Sequence, residues 1–179
     1  MPESANEHLD VLRARIRSDP PASVLDVGMG RGNYGWFLRQ DVGWRGRLVG
    51  LEVWAPYVVG PDALAGGNRD YYERIEVGDV RERESFVGSL APDVAFAFDV
   101  IEHMVRDEGA AVIAMLARHC RREVLVSVPI VPYPQGPIHG NPHEEHRHDW
   151  TVEEMESVGG SLLSKGAATG LFVFPASAR

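Results

Sequence analysis

The run Val24-Leu25-Asp26-Val27-Gly28-Met29-Gly30-Arg31-Gly32-Asn33 sets the terms for everything that follows it. A short apolar strand leads into an acid, then three glycines at alternate positions, then a segment of helical character. Glycines there permit a tight turn and let a ligand approach the backbone without a Cβ in the way. On the glycines alone, the turn can also be a plain strand-to-helix connection.

The segments downstream alternate in the same manner. Strands are predicted at Ser23–Val27, Arg47–Val53, Ile75–Val77, Asp93–Phe98 and Glu123–Val128, with helices between them at 33–40, 55–64 (broken by Pro61), 83–90 and 108–119. A helix is predicted over Ser4 to Asp19, opened by the capping-box pair Ser4 and Glu7 and stopped by Pro20-Pro21. A second capping box, Thr151 with Glu154, starts a helix that runs to about Val158. Ser161–Lys165 and Leu171–Phe174 read as two hairpin-linked strands. Strand–helix alternation predicts an α/β fold: a Rossmann-like, doubly wound, seven-stranded sheet, mostly parallel, with an antiparallel C-terminal strand. The 179 residues fit a single domain with no repeat or linker.

Charge narrows the partners. A net charge of -8 disfavours a nucleic-acid backbone, which needs a cationic face. No apolar run is long enough for a bilayer, and no signal-like core opens the chain. With Cys120 as the one cysteine, a reducing cytoplasm is the expected location.

The acids are placed where strands end. Asp26 lies beside the first glycines, and Asn33 stands where a dinucleotide fingerprint wants Gly or Ala. A carboxylate near the turn repels a pyrophosphate but suits the cationic ammonium and sulfonium of S-adenosylmethionine. Glu52 ends the second strand, where a carboxylate can accept both ribose hydroxyls; that alone fits NAD equally well. Asp79 follows the third strand and can accept from an adenine amine. The run Asp99-Val100-Ile101-Glu102-His103-Met104 follows the fourth.

On these residues the chain resembles the class I S-adenosylmethionine-dependent methyltransferases, from about Val24 to Phe174: the glycine run matches their first motif, and the segment Asp99–Met104 matches the loop after their fourth strand. The resemblance implies that Gly28, Gly30 and Gly32 lie along the methionine part, with Asp26 helping to orient it. It also implies that Glu52 holds the ribose, that Asp79 meets the adenine amine and that Asp99 borders the methionine end. Val53, Val80 and Trp54 are expected around the adenine ring.

The acceptor side is drawn from the Pro-, Gly- and His-rich segment 129–150, too long for an ordinary connection. His139, His143, His146 and His148 crowd into it. A hydroxyl acceptor needs a base, and histidine suits neutral pH. His146 is the expected base, with His148 or Glu145 orienting it, and His103 is a second candidate. No local spacing matches a zinc signature, so no metal is expected. The expected activity is O-methylation of a small hydroxylated molecule, a sugar or natural product. N-methylation, a catalytically inactive cofactor-binding partner subunit, and a nucleotide-dependent oxidoreductase are the alternatives. The acceptor pocket would be built from the N-terminal helix, the loop after Asp99 and segment 129–150, and a homodimer is a further expectation.

Overall fold

A computed structural model of the chain describes residues 6–59, 68–138 and 140–177. The predicted Ser4 cap, the Pro61 break and the end of that helix, and His139 lie outside the described residues.

Among the described residues the strands are β1 (Ser23–Val27), β2 (Arg47–Glu52), β3 (Arg74–Val77), β4 (Val94–Phe98), β5 (Glu123–Pro129), β6 (Ser161–Lys165) and β7 (Thr169–Pro175). They form one sheet in the order β3-β2-β1-β4-β5-β7-β6. The pairs from β3 across to β5 are parallel, and β7 runs antiparallel to both β5 and β6. Chain order reverses between β1 and β4, which is where open α/β sheets open a crevice beyond the carboxyl ends of their strands.

Among the described residues, six α-helical segments accompany the sheet: α1 (Leu9–Ser18), α2 (Asn33–Trp36), α3 (Ala55–Val58), α4 (Glu84–Leu90), α5 (Arg106–His119) and α6 (Val152–Ser157). Helix α2 continues as a π-helical turn over Phe37–Val42, so the predicted helix at 33–40 is present but widened. Helix α5 starts two residues before its predicted start, and α6 carries the predicted capping box with both hydrogen bonds at 3.1 Å. Helix α1 is preceded by a 3-10 turn, Asn6–His8. There the Glu7 carboxylate accepts from the Thr169 hydroxyl and the backbone N–H groups of Ala167, Ala168 and Thr169, tying the turn before α1 to the β6–β7 turn.

Strand alternation divides the core in two. On one face, Val24, Leu48, Phe96 and Leu125 pack with Leu12 and Ile16 of α1 and with Phe37 and Leu38. On the other, Leu25, Val27, Ala95, Ala97 and Val126 pack with Val87 of α4, Ile113 and Leu116 of α5, and Met155 of α6. Both faces are covered, which is why β4 reads as an unbroken apolar run. No helix among the described residues is long and apolar enough to cross a membrane.

Candidate active site

A cavity of about 580 Å³ opens along the carboxyl ends of β1 to β5. Its floor is the glycine turn. Gly28, Gly30 and Gly32 all have left-handed φ, at 66°, 52° and 77°. This conformation is costly for any residue with a Cβ. The Gly28 N–H donates to the Leu51 carbonyl at 2.8 Å, which hooks the turn onto the end of β2. Glu52 holds it there from the side. One carboxylate oxygen accepts the Gly30 N–H at 2.8 Å and the other the Trp54 N–H at 2.7 Å. Burial pushes the Glu52 pKa upward, against these two N–H groups, which favour the ionised form.

Most of the expected cofactor residues converge on this cavity: Gly28, Gly30, Glu52, Val53, Asp79, Val80 and Asp99 line it. Asp79 does so while already engaged. Its oxygens accept from the Arg81 guanidinium at 2.6–3.1 Å and from the Arg81 N–H, which holds its pKa below the usual carboxylate value. Asp99 sits at φ 54°, a left-handed position for a non-glycine residue, as the chain turns out of β4. Trp54 stands beside the His143 ring, 6.2 Å between centroids, and is not part of the cavity lining.

Two expected residues are placed elsewhere. Gly32 is buried as the N-cap of α2. Asp26 is 1% exposed and points into the core on the α2 face. It accepts a hydrogen bond from the Tyr72 hydroxyl at 2.5 Å, and the Tyr72 hydroxyl oxygen in turn accepts the Gly35 N–H at 3.1 Å. The reason is strand parity: Asp26 shares a face with Val24, not with the cleft. Its neighbour across the β1–β2 ladder is Gly50, where a Cβ would collide with the Met29 sulfur.

The other half of the cavity is lined by Glu102, His103, Tyr133, Glu144, His146 and Thr169. The His103 and His146 rings meet edge to face, with centroids 4.9 Å apart, and the Tyr133 ring lies 5.7 Å from that of His146. Burial lowers the pKa of both histidines, so both favour the neutral imidazole. His103 Nδ1 faces the Glu145 carbonyl at 3.2 Å; the backbone of Glu145, not its side chain, orients a histidine here. His148 turns away from the cavity, packing on Trp150 at 4.8 Å with Nε2 3.3 Å from Glu154. The N–H groups of Arg147 and His148 both donate to the Glu102 carbonyl, which fixes the loop so that His146 and His148 do not share a face.

Several residues in the site were not among the expected site residues. Glu144 is buried and accepts from the Tyr57 hydroxyl at 2.8 Å and from Asn141 Nδ2 at 3.3 Å. Burial, then Glu144, pushes the Tyr57 pKa up to about 12. Gln135 Nε2 donates to the Glu144 carbonyl at 2.7 Å, completing a polar bracket that pins the histidine loop against α3. Glu102 is 2% exposed, its Oε2 has no hydrogen-bond partner, and burial together with the charge of Asp99 raises its pKa well above the usual value. Glu102, His103 and His146 bring one ligand atom each within 4.8 Å of one another, a grouping able to hold a metal ion although no sequence spacing suggested one.

No protein-family model and no curated protein matches the sequence. Solved structures do match in fold. Magnesium protoporphyrin IX methyltransferase (ChlM) from Synechocystis PCC 6803, with bound SAH, superposes with a TM-score of 0.66 at 18% identity, over 97% of this chain and 84% of that one. The methyltransferase domain of bacterial CtHen1 gives 0.64 at 23% identity, over 97% and 100%. The 1,6-didemethyltoxoflavin-N1-methyltransferase of Burkholderia thailandensis, with bound 1,6-didemethyltoxoflavin and S-adenosylhomocysteine, gives 0.65 at 19% identity, over 98% and 80%. The sheet order and the antiparallel β7 of this chain are thus those of the class I S-adenosylmethionine-dependent methyltransferase fold.

Proposed function

We propose that the protein transfers the methyl group of S-adenosylmethionine to a hydroxyl of a small molecule, a sugar or natural product. One observation carries this reading. A single cavity joins a glycine-floored half, clipped by Glu52, to a half that ends in the paired imidazoles of His103 and His146. In the first half Gly28 and Gly30 give the methionine part room, Glu52 takes the ribose, Val53 and Val80 flank the adenine, and Asp99 borders the methionine end. In the second half the acceptor oxygen lines up with the methyl carbon and sulfur. As the oxygen–carbon bond forms, the carbon–sulfur bond breaks and its electron pair stays on sulfur, so S-adenosylhomocysteine leaves neutral at that atom. The acceptor's proton passes to the free ring nitrogen of His146, whose neutral state near pH 7 suits a general base. Orientation of the three atoms in line supplies much of the acceleration. Small acceptors are in keeping with two proteins of the same fold, named for magnesium protoporphyrin IX and for 1,6-didemethyltoxoflavin.

The test is calorimetric titration with S-adenosylhomocysteine and with NAD, followed by a radiolabelled methyl-transfer screen of hydroxylated and amine acceptors. The expected result is binding of S-adenosylhomocysteine alone, and His146→Ala losing turnover while keeping that affinity. Binding of NAD alone overturns the cofactor assignment, and unchanged turnover in His146→Ala removes that residue from the proton-transfer role.

A further inference from the structure

We infer that Glu102, His103 and His146 form a three-ligand site for one divalent first-row transition cation, open toward the acceptor half of the cleft. The inference rests on the reading of the cavity as a methyl-transfer site, and in it His146 serves as a ligand to the ion that polarises the acceptor in place of its role as free base.

Three observations carry it. The three side chains offer a carboxylate oxygen and two ring nitrogens within 4.8 Å of one another. Two atoms each about 2.1 Å from one ion are at most ~4.2 Å apart, so a pair at 4.8 Å needs a contraction of at least ~0.6 Å to close the set. Next, Glu102 Oε2 is fully buried without a hydrogen-bond partner, although this residue lines the cavity. A carboxylate left that way is costly unless a cation meets it. Third, His103 has its Nδ1 turned to the Glu145 carbonyl at 3.2 Å. Donation there places the proton on Nδ1, the arrangement that orients ligating histidines.

One carboxylate and two imidazoles suit manganese, iron, cobalt or zinc in their divalent states better than calcium, which prefers oxygen ligands. Three protein ligands leave at least one coordination position open. An acceptor hydroxyl there loses its proton more readily, since a divalent ion acidifies the oxygen that it binds. With the ion in place, His146 spends its lone pair on the metal, and the acceptor's proton passes to solvent before the oxygen attacks the methyl carbon. The two roles of His146, free base and ligand, therefore predict different metal dependence.

The experiment uses untagged, full-length protein treated with a chelator, dialysed, and titrated with Co²⁺ while the visible d–d band is followed. One equivalent per chain is expected, with a band that shifts when azide takes the open position. Glu102→Gln and His146→Gln should each weaken Co²⁺ binding by at least tenfold, since even outer-shell changes cost that much. His148→Gln, outside the cluster, should leave Co²⁺ binding unchanged. S-adenosylhomocysteine affinity, measured in parallel, should stay within about twofold in Glu102→Gln, and circular dichroism reports whether each variant is folded. No Co²⁺ uptake by the wild-type protein, or uptake that the folded Glu102→Gln and His146→Gln variants retain, overturns the site. Loss of S-adenosylhomocysteine binding by the wild-type protein instead overturns the methyl-transfer reading, and the Co²⁺ titration tells the two failures apart.

Discussion

The buried carboxyl of Asp26 makes a prediction about pH whose sign runs against the usual one. Burial pushes its pKa from 3.8 up to about 7, with the Tyr72 hydroxyl pulling it down and Glu52 adding a smaller push upward. In the unfolded chain the group returns to its ordinary value. Between about pH 4 and pH 7 the folded protein thus keeps a proton that the unfolded chain has released. The stability associated with Asp26 is fully present below pH 4, is lost as pH rises toward 7, and is level beyond it. At 1.36 kcal/mol per unit, the whole window is worth up to roughly 4 kcal/mol, and the span from pH 5 to pH 8 about 2–3 kcal/mol. Asp26→Asn keeps an acceptor for the Tyr72 hydroxyl and removes the titration. Urea unfolding of the two proteins at pH 5 and pH 8 measures the effect, because every other titrating group cancels in their difference. The variant should gain about 2–3 kcal/mol on the wild type between the two pH values. An equal pH dependence in both proteins refutes the argument that this carboxyl is sealed in the core. A wild-type protein that becomes relatively more stable at pH 8 refutes its sign.

Four further outcomes are expected. Gly28→Ala places a Cβ against Val100 Cγ2 at a left-handed φ, so it should lower unfolding free energy by about 2–4 kcal/mol, the sum of conformational strain and overpacking. At Gly30 an added Cβ meets only the Gly28 carbonyl oxygen, at 3.9 Å, so Gly30→Ala should cost about 1 kcal/mol, and equal losses in the two variants would count against this distinction. Glu52→Ala removes the acceptor for two turn N–H groups and the proposed ribose contact, and calorimetry should find S-adenosylhomocysteine bound at least tenfold more weakly. Thr151→Ala takes away the hydroxyl that caps α6 and should cost about 1 kcal/mol in urea unfolding, with cofactor affinity unchanged.

Much of the donor half was legible in the sequence because its signals are local. Three glycines at alternate positions specify a left-handed turn wherever the strand before them sits. The alternation of apolar strands and helices specifies a covered parallel sheet, and the acids after β2, β3 and β4 fall at strand ends by their position in that alternation. The capping box at Thr151 is a four-residue signal and formed as written. Asp26 was misplaced for a reason that was itself local: it belongs to β1, and its parity with Val24 sends the carboxyl into the core beneath Tyr72, not toward the cleft.

The acceptor half was legible only as a concentration of histidines. Which of them enters the cavity depends on the path of the loop, and that path is set by contacts between residues far apart in the chain. Glu144 is bracketed by Tyr57, and the Glu102 carbonyl takes two N–H groups of the loop, turning His146 inward and His148 onto Trp150. The sequence by itself determined the sheet, the glycine turn and the acids at the strand ends, since each follows from spacing along one segment. Only the tertiary structure decided that Glu102 and His103 should meet His146, because that meeting depends on packing between β4's exit and a loop more than forty residues later, and no local pattern encodes it.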